Sequence, residues 1–121
     1  MTVPVWLGVA VLGGAGALFR FFIDGFVSSW LGRDFPLGTL VVNLTGAAVL
    51  GLLVGLALSG DALVLAGTAT IGSYTTFSTW MLESHRMAQD GELGRGAANV
   101  LGSLGLGLGA AALGRLLGGH L

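Results

Sequence analysis

The sequence predicts an all-α membrane protein of four transmembrane helices, the third of them broken near mid-membrane. Of its 121 residues, 54% are hydrophobic and only 9% are charged, too apolar for a surface that faces water. Four apolar segments, 3–23, 37–58, 62–82 and 96–117, each reach the ~20 residues, at ~1.5 Å rise, that cross a hydrocarbon core of ~30 Å. Within the third lies a hydroxyl-rich run of low helix propensity, Gly72 to Trp80. The spans consume nearly all of the chain, which therefore forms one four-span transmembrane domain, residues 1–121. Any chemistry sits between helices or in three short connections.

The first span starts with MTVPVW, which carries no Lys or Arg, and three further spans follow it. It reads as a retained span rather than a cleaved signal, with the mature protein beginning near Met1. Arg20 stands close to its end, in GGAGALFRFF. A side chain of that length can snorkel toward the headgroups or pair with Asp24 one turn on. The functional alternative is a cation at the mouth of an anion pathway.

Pro36 precedes the second span, where its fixed φ and missing N–H suit a helix start. In PLGTLVVN, Thr39 and Asn43 are four residues apart and share a helix face. An Asn within lipid must find a partner. An interhelical hydrogen bond is one solution, worth about 0.6 kcal/mol on average. The other is a wet cavity, into which the amide NH₂, a double donor, offers hydrogen bonds to a passing anion. Gly60-Asp61 makes a tight turn into the third span.

In GTATIGSYTTFSTWMLE, Thr68, Gly72, Thr75 and Thr79 follow helical spacing, while Gly72-Ser73 and the β-branched residues beside them weaken the helix over about two turns. Non-helical backbone at membrane depth persists only where it is buried in protein or lines a cavity, so a break there predicts an ion site. Carbonyls freed at Gly72 and Thr75 suit a hard cation such as Na⁺, and the hydroxyls of Ser78 and Thr79 face a pathway. The bland alternative is an intact helix whose threonines bond back to their own carbonyls. Phe77 and Trp80, three residues apart, are either packing or edge-on rings whose positive edges accept an anion without a formal charge. Glu83, with His85 and Arg86 beside it, ends the span and reads as a solvated or capping cluster.

Twenty-three glycines in so short a chain mark helix interfaces, because small residues let backbones approach closely in lipid. Ala47, Gly51, Gly55 and Ser59 form one stripe on the second span; Gly105/Gly109 and Ala110/Gly114/Gly118 do the same on the fourth. Four closely packed helices enclose little volume by themselves, which predicts a dimer. Arg33, Arg86 and Arg95, with Arg20 nearby, stand on one side of the membrane against Arg115 on the other, which places loops one and three in the cytoplasm and both termini outside.

Several function classes are excluded. Cysteine is absent, which removes disulfides, thiol catalysis and thiolate metal sites. Five Arg, no Lys and no basic cluster leave no footprint for nucleic acid. No His or carboxylate group has catalytic or metal-ligand spacing, so the sequence predicts no enzyme.

Three segments, GGAGALFRF, PLGTLVVNLTG and GSYTTFSTWMLE, in this order and at this spacing, closely resemble the fluoride channels called Fluc or CrcB. The resemblance covers the whole four-span layout. It implies a dual-topology, antiparallel dimer with two pores, located in the cell membrane, in bacteria the inner or plasma membrane, and surrounded by lipid. It also implies a structural Na⁺ at the dimer centre and passive F⁻ export that lowers intracellular fluoride and its toxicity. By position, Asn43 matches the pathway asparagine and Phe77 the first of two edge-on rings. Gly72 and Thr75 match the positions whose carbonyls hold the sodium, and Ser78 and Thr79 belong to the same TTFST motif.

Two departures from the family pattern stand out. The second ring is Trp80, an indole with an N–H donor. In the fourth span, where the family often has a Ser and a Thr one turn apart, this chain has Gly107 and Ala111, and it offers only Asn99 and Ser103. Together with the Arg asymmetry, these raise a heterodimer with a related, oppositely oriented subunit as the alternative to a homodimer. Two other readings are weaker. A small multidrug-type exporter needs a membrane carboxylate in its first span, and none precedes Asp24. A non-conducting scaffold leaves Asn43 and TTFST without a purpose.

Overall fold

The computed structural model describes residues 1–121 and is helical, without strands. Its elements are α1 (Val3–Leu31), α2 (Leu37–Gly55), α3 (Gly60–Leu63), a π-helical stretch (Val64–Ile71), α4 (Gly72–Tyr74), α5 (Ser78–Gln89) and α6 (Leu93–His120). Three of these, α1, α2 and α6, are long and apolar enough to cross a membrane, and the chain is a multi-pass membrane protein. The third predicted span is the series from α3 to α5, interrupted between Tyr74 and Ser78.

The helix boundaries differ from the hydropathy for identifiable reasons. Asp24, Ser28 and Ser29 end the apolar run of the first segment but do not break a helix, so α1 continues to Leu31. At the other end of α2 the helix stops three residues short of Leu58. There Ala57 takes a φ of +61°, a left-handed conformation rare for a residue with a Cβ, ahead of Gly60 at the same φ. The reversal predicted at Gly60-Asp61 therefore begins earlier, at Ala57.

The break also falls later than Gly72-Ser73. Gly72 is still helical, and the chain leaves the helix at Thr75, which is extended at φ −80° and ψ 162°. Ahead of it, the π-helical stretch fits an extra residue into the turn, and Thr70 Oγ1 donates to Leu65 O, five residues back, at 2.7 Å.

Packing is densest between α2 and α6, and it runs through main chain. A Cβ placed on Gly51 or Gly55 would collide with the carbonyls of Ala111 or Arg115, and one on Gly114 or Gly118 with those of Ala48 or Leu52. The predicted stripes built on Gly51/Gly55 and Gly114/Gly118 thus form one seam. The Gly105/Gly109 pair does not join it: both face open space. The outer face of α1 is apolar and exposed, with Val3, Trp6, Leu7 and Val11 each at least 60% accessible, as lipid requires. At one end of the bundle Arg95 joins Asp34 at 3.5 Å and Glu92 at 3.4 Å and lies over the Phe35 ring at 5.6 Å, so loops one and three share a side.

Candidate functional site

The interruption in the third span is held by Asn43 of α2. Asn43 Nδ2 donates to Thr76 O at 2.9 Å, and Thr76 N–H donates to Asn43 Oδ1 at 2.9 Å. A continuous helix would send the Thr76 N–H to Gly72 O. The side-chain amide takes its place, and the backbone groups that the break would leave unpaired at Thr76 are both satisfied. Of the two sequence alternatives for Asn43, the interhelical bond is realised. It uses one of the two Nδ2 hydrogens.

Around this clamp the structure gathers most of the predicted residues into a cleft of about 660 Å³ between α2, the third span and α6. Asn43, Thr68, Gly72, Thr75, Phe77 and Trp80 line it. The facing side of α6 contributes Ser103, Gly107 and Ala111, so the hydroxyl-poor positions of the fourth span do border the cleft. Phe77 and Trp80 meet edge to face, with ring centroids 5.8 Å apart and planes at 90°. Phe77 is 70% exposed, which leaves its ring to a solvent, an ion or a partner.

Thr79 and Thr39 lie elsewhere. The break turns the chain, so Thr79 leaves the face shared by Thr68, Gly72 and Thr75 and enters a smaller pocket of about 160 Å³ with Arg20, Asp24, Thr39 and Thr76. Thr76 borders both cavities. Ser78 is exposed and lines neither of them, so it does not share a cavity with Thr79. The pairing of Arg20 with Asp24 is also corrected: Arg20 Nη1 donates to Thr75 O at 3.4 Å, because the break turns that carbonyl outward within reach of α1.

Thr39 is 4% exposed, and its Oγ1 donates to Glu83 Oε1 at 2.6 Å. Glu83 is therefore no free capping residue. It ties α5 to α2 and borders a charged basin with Asp24, Arg33, Arg86 and Asp90. Donors and acceptors thus run from the cleft, through Thr76, to Arg20 and Thr39 and on to Glu83. Sequence reasoning missed the Thr39–Glu83 bond; nothing in the spacing of two residues 44 positions apart announces it.

Trp80 Nε1 donates to Asn99 O of α6 at 3.0 Å. Asn99 is 2% exposed, and its Nδ2 donates to Ser84 Oγ at 2.8 Å, which in turn donates to Trp80 O at 2.8 Å. A second polar cluster, also missed from sequence, therefore holds α5 against α6.

The site thus combines a clamp on an interrupted helix, an amide donor and an aromatic pair on a broad, largely apolar cleft, and a cation in the pocket beside it. Residues 7–115 match the family described as CrcB-like protein, Camphor Resistance (CrcB). Among curated proteins, the chain is 56% identical over 116 residues to the fluoride-specific ion channel FluC 2 of Mycolicibacterium paratuberculosis, covering 96% of this chain and 95% of the relative. It is 53% identical over 115 residues to FluC 2 of Mycobacterium bovis, covering 95% and 91%. With the fluoride-specific ion channel FluC 1 of Leifsonia xyli subsp. xyli it shares 45% over 124 residues, covering 98% and 90%. A match of this extent on helices folded around an asparagine-clamped break shows that the chain belongs to the CrcB-like family.

Proposed function

We propose that this chain is a fluoride-selective ion channel of the cell membrane that lets F⁻ leave the cytoplasm passively. The observation that carries the reading is the Asn43–Thr76 clamp, which sets a ring pair and an amide donor on one cleft in a chain related throughout its length to curated fluoride-specific channels. The chain is a channel and not an enzyme: no bond is made or broken. HF enters a cell as the neutral acid and dissociates, and the trapped anion leaves down its electrochemical gradient.

Four chemical features serve a small, strongly hydrated anion. Asn43 has an N–H left after bonding Thr76; Phe77 and Trp80 present ring edges; Thr79 offers a hydroxyl, that of Thr39 being spent on Glu83; Arg20 supplies a positive charge at the smaller pocket. Each donor replaces part of a hydration shell, which favours F⁻ over the larger Cl⁻ in a narrow path. The test is anion efflux from vesicles reconstituted with the full chain. F⁻ efflux with Cl⁻ retained is expected, and Cl⁻ leaving as readily as F⁻ rejects the reading.

A structural Na⁺ fits part of this geometry. The Gly72 carbonyl loses its Thr76 donor to Asn43 and is a free hard oxygen at the cleft, which suits the ion. The Thr75 carbonyl already faces the Arg20 guanidinium at 3.4 Å and is shared between two cations if Na⁺ binds. Two carbonyls make an incomplete shell, so Gly72 and Thr75 of a second subunit complete the site in our reading, at the centre of an antiparallel dimer. A bound Na⁺ would supply a charge that holds two broken helices together.

The homodimer is the default assembly. Gly107 and Ala111 favour a second reading, in which a related, oppositely oriented subunit lends hydroxyls to the path, because both border the cleft and neither has a polar side chain. Robust F⁻ efflux by the chain reconstituted alone removes the need for that partner.

A further inference from the structure

We propose that Asn99 is a positioning residue for Trp80: through it, α6 fixes the indole so that its N–H is spent on protein and only carbon-bound ring hydrogens face the cleft. This rests on the reading of the Phe77/Trp80 pair as part of the ion path, and it accounts for an indole where a phenyl ring would be expected.

The clamp has two arms that meet in Asn99. Its main-chain carbonyl accepts the indole N–H at 3.0 Å. Its side-chain amide donates to Ser84 Oγ at 2.8 Å, and that hydroxyl donates to Trp80 O at 2.8 Å. Both ends of Trp80 are therefore referred to one residue. Ser103 Oγ, one turn further along α6, donates to Asn99 Oδ1 at 3.3 Å and fixes the orientation of the amide. The helices can come this close because residue 96 is glycine: a Cβ there would stand 2.8 Å from Ser84 O. Asn99 at 2% and Ser84 at 6% exposure are shielded from competing water, and a buried polar network with every member satisfied holds its geometry.

The consequence is chemical as well as steric. An indole N–H left open to the cleft would be the strongest donor on either ring and would retain an anion there, whereas conduction requires each site to release it. Bonding that hydrogen to Asn99 O makes the indole offer what phenylalanine offers, a weakly positive ring edge at right angles to Phe77. Phenylalanine at position 80 would have no donor for Asn99 O, so the indole arm is particular to tryptophan, whereas the arm through Ser84 ends on the main chain of residue 80.

The full chain tests the two arms separately. Asn99→Ala removes the amide and leaves the main-chain carbonyl, so it cuts only the arm through Ser84 and is expected to slow F⁻ efflux about fivefold, the ratio carried by one net hydrogen bond. In a chain whose only tryptophan is Trp80, made with Trp6→Phe and Trp30→Phe, Asn99→Ala is expected to increase quenching of the fluorescence by acrylamide. The indole arm is read by hydrogen exchange in a chain with ¹⁵N-labelled tryptophan: the Nε1 proton of Trp80 is expected to exchange about tenfold more slowly than that of the exposed Trp30. Exchange at Trp80 as fast as at Trp30, or unchanged quenching in Asn99→Ala, overturns the proposal in favour of general packing. Trp80→Ala conducting at the full rate instead rejects the ring's place in the path, while quenching and exchange still decide whether Asn99 holds it. Where Asn99→Ala fails to fold, Ser84→Ala cuts the same side-chain arm from its other end and is read by the same quenching measurement, with the same outcomes.

Discussion

Asn43 binds both main-chain polar groups of Thr76, its N–H and its C=O, each at 2.9 Å. A side-chain amide has the same donor and acceptor pattern as a peptide group, so this one residue of α2 stands in for the helical partners that the third span lacks at Thr76. No other standard side chain of that length offers the pair.

Asn43→Ala is therefore expected to abolish F⁻ efflux and to destabilise the fold. Two half-buried backbone groups lose their partners, at about 1–3 kcal/mol each. Efflux from vesicles and a thermal melt in detergent measure the two effects separately. Asn43→Asp keeps the acceptor and loses the donor, so it is expected to melt between the wild type and Asn43→Ala. Full efflux from Asn43→Ala would show that the break stands without the clamp.

Thr39→Val removes the 2.6 Å donor to Glu83 and leaves a half-buried carboxylate short of a bond. A hydrogen bond to a charged group contributes about 1.5–3 kcal/mol, so F⁻ efflux is expected to fall about tenfold. Thr39→Ser, which keeps the hydroxyl, is expected to restore most of the rate. A valine variant as fast as the wild type would place the Thr39–Glu83 bond outside the path.

Gly107→Ser with Ala111→Thr returns hydroxyls to the cleft. A side chain at Gly107 meets nothing within 4 Å, so the serine fits without displacing a neighbour. The double variant reconstituted alone is expected to conduct about fivefold faster, on the scale of one net hydrogen bond. No change would mean that α6 of the same subunit does not bear on the ion.

Gly114→Val and Gly51→Val are expected to lower the melting temperature sharply, because each drives a side chain into a carbonyl of the opposing helix. Overpacking of this kind costs about 1–3 kcal/mol or more. Gly109→Ala is the control: it faces open space and gains helix propensity of up to about 1 kcal/mol. Melting in detergent ranks the three.

Replacing Na⁺ on both sides of the membrane by a large organic cation is expected to slow F⁻ efflux and to lower the melting temperature of the assembly. A ligand bound only to the folded form stabilises it by mass action, about 2.7 kcal/mol at a hundredfold excess over its dissociation constant. Unchanged melting in sodium-free buffer would reject a sodium ion held by Gly72 and Thr75.

The spans were legible because burying apolar residues in lipid demands length, and length is counted along the sequence. The Gly51/Gly55 and Gly114/Gly118 stripes were legible because spacing by four survives in a straight helix. Thr79 was misplaced for the complementary reason. Its spacing from Thr75 assumes 3.6 residues per turn across a segment where the helix stops, and the chain leaves on a different side. The π-helical stretch Val64–Ile71 has no compositional mark, since Val, Leu and Ala serve an α-helix as readily. Arg20 with Thr75, Thr39 with Glu83 and Trp80 with Asn99 each join different helices, and helix packing decides them. The interrupted stretch itself was visible from its glycine and hydroxyl content, yet its location three residues later depends on where Asn43 reaches.

The main-chain seam between α2 and α6 has a mechanical consequence. Helices that meet through long side chains can slide as rotamers change, but Gly51 against Ala111 O and Gly114 against Ala48 O leave no adjustable part between them. Asn43 and Asn99 thus ride on one stiff frame and grip the third span at Thr76 and Trp80, four residues apart. Phe77 sits in the short bridge between these anchors, 70% exposed and with no such bond of its own. Of the two rings at the cleft, Trp80 is tied to this frame by its own side chain and Phe77 is not, so along the proposed path Phe77 is the ring left free to change rotamer.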